Sequence, residues 1–156
     1  MIFDPTSLAT LGGALALIGG LVGSSIGIAK AASAGTATLS EDPGQFRNVI
    51  LLSSLPMTQS FYGLIILILI LTSVVPKLAD TGGSGMAVLG IGLIGFMAEL
   101  FSAIYQGVVC ASGISLLPKT KGQIFTSTMM LAVFVELLGV LGLVFSIMAL
   151  TMLGLM

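Results

Sequence analysis

Glu136 stands inside the apolar run Leu131–Gly139, where a carboxylate has no water to solvate it. On insertion scales such a group costs about 2.5–3.5 kcal/mol at a bilayer's centre, so an intramembrane acid is by default a functional candidate. Glu136 falls about twelve residues, or ~18 Å, past the start of the last apolar segment at 1.5 Å per residue. Measured from the same side, Thr58 and Gln59 lie about twelve residues into the second segment and Gln106 about eleven from the end of the third. One carboxylate, one hydroxyl and two amides therefore share a level. These are hard oxygen donors suited to a small cation, which needs several oxygens and one neutralising charge once it is stripped of water. The other reading is that the same groups only cross-link helices, at ~0.6 kcal/mol per hydrogen bond. A mere cross-link does not need Glu. Tyr62, four residues past Thr58, lies one helical turn away and is placed to close over Glu136.

Glu99 is the second intramembrane acid, seven residues before Gln106 and so on a similar helix face, about 10 Å toward the opposite side. Three roles stay open for it: facing the interior of an assembly, pairing with a neighbouring copy, or serving as a second station for protons. Pro56 removes a backbone donor and frees the Leu52 carbonyl, which would bend the second segment near the cluster. Cys110 has no cysteine partner in the chain and reads as inert packing. Gly90–Gly95 matches the glycine spacing of a dinucleotide loop but lacks the preceding strand that this motif needs, so it is a glycine-rich helix. With no His, no nucleophile–His pair is available.

The elements that hold these residues are four apolar segments, roughly 8–39, 46–75, 86–116 and 124–154. Each exceeds the ~20 residues required to cross the hydrocarbon core. Of the 156 residues 56% are hydrophobic and 7% charged, with mean hydropathy +1.21, against about 25% charged in a soluble domain. The predicted fold is an all-α membrane protein of four transmembrane helices with short connections. Any nucleotide chemistry must then reside on another chain. A net charge of −1 without a basic cluster leaves nucleic acid no electrostatic foothold. The start, Met1–Pro5, has no basic region of a signal peptide and is expected to stay uncleaved. Arg47, Lys119 and Lys121 flank the first and third connections and Lys77 the second, which predicts cytoplasmic short loops, with the termini and the 76–85 connection outside. Lys30 reads as a snorkelling interfacial lysine.

The halves repeat at a constant offset of 78: Gly35 matches Gly113, and Gly44-Gln45 matches Gly122-Gln123. The chain thus divides into two tandem, parallel helical hairpins, 1–78 and 79–156. At this offset Thr58 matches Glu136, so only the second hairpin carries the charge. Gly19, Gly23, Gly27, Ala31 and Gly35 form a small-residue stripe that allows close helix approach, and Gly92, Gly95, Ser102 and Gly113 continue it in the third segment. The second and fourth are bulkier. This texture suits a ring with helices 1 and 3 inside and 2 and 4 outside, and equally a compact bundle or helix dimer.

Three stretches, Leu55–Gly63, Phe101–Gly107 and Val135–Gly142, together resemble the four-helix proteolipids of vacuolar/archaeal-type rotary ATPases, and most the subunit K (c) proteolipids of bacterial sodium-pumping enzymes. The resemblance spans the chain. It implies a homo-oligomeric rotor ring in a lipid bilayer, by this likeness a bacterial plasma membrane. It further implies a stator a/I subunit that bears an essential arginine and a central-stalk subunit on the cytoplasmic side. The implied Na+ ligands are the Leu55 backbone carbonyl, Thr58, Gln59, Gln106 and Glu136, with Tyr62 as lid; Leu55 rests on the resemblance alone. Met57, where Gly is common, and Glu99, an added acid, depart from the pattern. H+ is the alternative coupling ion, since a proton needs only the carboxyl. An ATP-independent transporter or channel, and a scaffold, are the other classes to separate by experiment.

Overall fold

The computed structural model of the chain describes residues 4–81 and 83–156. Met1–Phe3, part of the uncleaved-start reading, and residue 82 of the 76–85 connection lie outside them. Among the described residues, four helices are long and apolar enough to cross a membrane: α1 (Pro5–Glu41), α2 (Pro43–Asp80), α3 (Gly85–Thr120) and α4 (Phe125–Met152). Every regular element among the described residues is helical.

Each end has a local cause. Asp4 caps α1, its carboxylate accepting from the Ser7 amide at 3.2 Å, and Pro5 fills the first turn, where no N–H is needed. Asp42 separates α1 from α2 by accepting from the Gly44 amide at 3.0 Å, while its own N–H returns to the Thr38 carbonyl. Ser84 caps α3. At the other end of α3, Lys121 and Gly122 turn to φ 49° and 82°, and the Gly122 amide reaches the Leu117 carbonyl at 3.0 Å. Such left-handed residues end a helix by satisfying its last carbonyls. These caps carry the first three helices a few residues beyond the apolar segments, because capped polar ends need not stay in hydrocarbon. α4 instead stops short of 154, where Gly154 adopts φ 70°.

α2 is not a uniform rod. Its backbone tightens to a 3-10 turn at Leu55–Met57 and widens to a π-helical stretch at Ile70–Val74. Prolines account for both. Pro56 sits within the tight turn, and Pro76 follows the wide one, which opens the helix where its ring would meet the Thr72 carbonyl. The sequence predicts a bend at Pro56. The local change is a shift of hydrogen-bond pattern, with the Thr58 amide bonded to the Leu55 carbonyl.

α1 and α3 form the centre of the bundle. Of their most apolar stretches 44% and 39% are buried, against 28% and 22% for α2 and α4. Glycine makes this seam possible: a Cβ on Gly12, Gly19 or Gly23 would collide with the α3 backbone at Leu89, Phe96 or Leu100, and one on Gly92 or Gly107 with α1 at Gly12 or Gly27. Two apolar clusters fill the interior. One, toward the termini, includes Ala16, Ile66, Ile70, Val88 and Leu150. The other, toward the short loops, includes Ala31, Leu52, Cys110, Ile114 and Leu117. Cys110 is fully buried there. Between the clusters lies a belt of buried polar groups.

Candidate functional site

The 3-10 turn at Leu55–Met57 sets the first part of the site. The Leu55 carbonyl, already bonded to the Thr58 amide, also accepts from the Thr58 hydroxyl at 3.2 Å. The same hydroxyl lies 3.2 Å from Gln59 Oε1. Three oxygens of α2, one backbone and two side-chain, thus meet around Thr58.

The amide end of Gln59 points the other way, across to α3. Its Nε2 donates to Gln106 Oε1 at 2.9 Å and to Ser102 Oγ at 3.0 Å. Gln106 Nε2 in turn donates to Glu136 Oε2 at 3.1 Å, and Tyr62 Oη donates to Glu136 Oε1 at 3.1 Å. One uninterrupted chain of contacts therefore runs from the Leu55 carbonyl through Thr58, Gln59 and Gln106 to Glu136, with Tyr62 on the far side. All six residues singled out from sequence come together, from α2, α3 and α4. Gln59 and Gln106 are fully buried, whereas Thr58, Tyr62 and Glu136 are half-buried at the outer edge of α2 and α4. The network is closed inward and accessible outward. Chemically it offers one negative charge, four neutral oxygens and no thiol or imidazole, a donor set for a hard cation.

Ser102 is a polar participant that the sequence does not announce; there it counts only as a small residue of the α3 stripe. Its hydroxyl accepts from Gln59 and donates to the Val135 carbonyl of α4 at 2.9 Å, tying the three helices at the level of Glu136. Its spacing carries the signal, since Ser102 precedes Gln106 by four residues and so shares its face.

Glu99 is fully buried, and neither carboxyl oxygen has a hydrogen-bond partner. It faces α4 at Gly139 and Gly142: a Cβ on the first would stand 2.8 Å from Oε2 and on the second 3.5 Å from Oε1. Of the three placements open from sequence, neither the interior of an assembly nor a neighbouring copy applies, because the carboxyl is enclosed by the chain's own helices. Lys30 is exposed.

The repeat does not duplicate the site. The residues 78 positions from Gln106 and Gln59 are Ile28 and Leu137, so the first hairpin has no second set of donors.

Comparison with known proteins gives consistent relatives. A family model described as the C subunit of ATP synthase matches the chain twice, over residues 11–70 and 89–149. The chain is 34% identical over 148 residues to the A-type ATP synthase subunit K of Methanocaldococcus jannaschii, covering 94% of this chain and 63% of that relative, and so spans a little under two thirds of its length. It is also 34% identical over 151 residues to the V-type sodium ATPase subunit K of Enterococcus hirae, covering 94% of this chain and 88% of that protein.

Proposed function

The chain belongs to the ATP synthase C-subunit family, and from that premise we propose that it is the rotor-ring proteolipid of a V/A-type rotary ATPase, carrying Na+ at Glu136. The observation behind the reading is the single chain of oxygen donors ending on one carboxylate, at one level of a membrane-length bundle. Each protomer is two tandem hairpins, 1–78 and 79–156, and the ring sets α1 and α3 inside with α2 and α4 toward lipid.

Na+ is the cargo. Glu136 neutralises it, and the Leu55 carbonyl, Thr58, Gln59 and Gln106 replace its water. Tyr62, which bonds Glu136 at 3.1 Å, is the lid on the lipid side. A neutralised site crosses lipid, whereas an empty, ionised Glu136 is stable only opposite a stator cation, the arginine of the a/I subunit. That difference makes exchange occur at the stator and nowhere else. The two short loops lie side by side, a Cβ on Gly122 being 3.1 Å from Gln45 Oε1. Together they form the cytoplasmic face on which the central stalk would sit. The termini are then outside, in a bacterial plasma membrane. ATP chemistry belongs to partner subunits, so this chain is ion-translocating and non-catalytic.

Sodium is preferred to the proton because a proton needs only the carboxyl, whereas the Leu55, Thr58, Gln59 and Gln106 oxygens are gathered along the chain that ends on it.

Carbodiimide labelling of Glu136, which attacks the protonated carboxyl, tests the proposal when followed by mass spectrometry with and without sodium at fixed pH. Protection by sodium is the expected result. Protection by raised pH alone would make this protein a proton carrier, and no dependence on either would leave a scaffold.

A further inference from the structure

Among the described residues the mechanism leaves one buried carboxyl unused. Glu99 is 0% exposed, both its oxygens lack a partner, and it lies in the membrane-spanning part of α3. An ionised carboxylate in that position is prohibitively unfavourable, so it must be neutralised by something that binds it.

The basic side chains do not serve. Arg47, Lys77, Lys119 and Lys121 lie at or beyond helix ends, and Lys30 is exposed on α1 past Gly27, which itself packs at Ala103. A metal cation does not fit either, because the space at Gly139 and Gly142 into which the carboxyl points is bordered by Ala98 and the Gln59 methylene, with Ser102 Oγ the side-chain oxygen there. A proton needs no coordination shell. We propose that Glu99 is a second, proton-selective site in each chain, distinct from the cation site, and that it keeps its proton while Glu136 exchanges its ion.

Ser102 borders the same space without bonding the carboxyl. A Cβ on Gly139 would stand 2.8 Å from Glu99 Oε2 and 3.1 Å from Ser102 Oγ, so both oxygens border the space this glycine leaves. The Ser102 hydroxyl donates to the Val135 carbonyl and accepts from Gln59. An ionised Glu99 would instead draw the Ser102 hydrogen away from Val135. A neutral Glu99 leaves that hydrogen on Val135, and with it Gln59 Nε2 on Ser102 and Gln59 Oε1 toward Thr58. At this level the titratable side chains on the packed helices are Tyr62 of α2 and Glu136 of α4, bonded to each other. α1 presents none there, since Gly19 and Gly23 abut Phe96 and Leu100.

Infrared spectroscopy of the detergent-solubilised oligomer reads this directly, through the carbonyl stretch of a protonated carboxyl, and does not depend on which ion Glu136 carries. At neutral pH the Glu136→Gln protein should retain such a band, and the Glu99→Gln/Glu136→Gln protein should lose it. In the wild-type background, Glu99→Gln alone should remove the amplitude of one carboxyl per chain. Absence of the band in Glu136→Gln, or its persistence in the double variant, would each overturn the proposal.

Discussion

Tyr62 and Gln106 hold the two oxygens of Glu136 from opposite helices, each at 3.1 Å. A hydrogen bond to a charged group contributes about 1.5–3 kcal/mol, and each 1.4 kcal/mol is tenfold in affinity. Tyr62→Phe keeps the ring and removes the donor, so the sodium concentration giving half-protection of Glu136 should rise at least about tenfold. An unchanged concentration would mean that the tyrosine merely packs. Glu136→Gln removes the charge but keeps the shape, and should abolish coupled transport while the oligomer still assembles; assembly is checked by native mass. Retained coupled transport would sink the proposed mechanism.

Helix ends and helix seams respond to different chemistry. At the start of α1, the Thr6 hydroxyl and the Ser7 amide donate to Asp4 and hold its carboxyl below the ordinary value of 3.8. A depressed folded-state value means the cap's contribution is complete above the ordinary value and is lost as pH falls through the lower, folded one. Amide-exchange protection at Ser7 and Leu8 should therefore fall on acidification below that range, and Asp4→Asn should flatten the dependence. Along the α1–α3 seam the constraint is space. Gly19 abuts the Phe96 backbone, which cannot yield as a side chain can, whereas a Cβ on Gly90 meets nothing within 4 Å. Overpacking costs about 1–3 kcal/mol, so Gly19→Val should lower thermal stability and the yield of assembled oligomer. Gly90→Ala should leave both unchanged or slightly improved, as Ala favours helix over Gly by up to about 1 kcal/mol. Equal effects at the two positions would contradict a seam set by close backbone approach.

A single copy exposes more apolar surface than water tolerates. On α4 alone, Phe134, Leu138 and Phe145 are 69%, 61% and 56% exposed. Lipid, neighbouring copies or both must cover these faces. The expected species in mild detergent is one discrete closed oligomer by native mass spectrometry; a monomer would remove the basis for a ring. Reconstituted without partner subunits, the chain should pass no sodium down a gradient, because Glu136 has no stator charge opposite it. Sodium flux from the chain alone would favour a transporter or channel.

The sequence alone determined four membrane-crossing helices, since length and apolarity answer to the bilayer, whose dimensions do not depend on the fold. It also determined that Glu136, Thr58, Gln59 and Gln106 share a depth, with Tyr62 one turn from it, because rise per residue converts position into height. It did not determine azimuth. Ser102 was legible as small but not as the hydroxyl linking Gln59 to Val135, and the 3-10 and π segments of α2 rotate every residue between them by amounts that no regular period predicts. Glu99 depends most on tertiary structure. Its place on α3 left several faces open, and only the packing of α4, through the two glycines Gly139 and Gly142, decided that its carboxyl is enclosed within one chain.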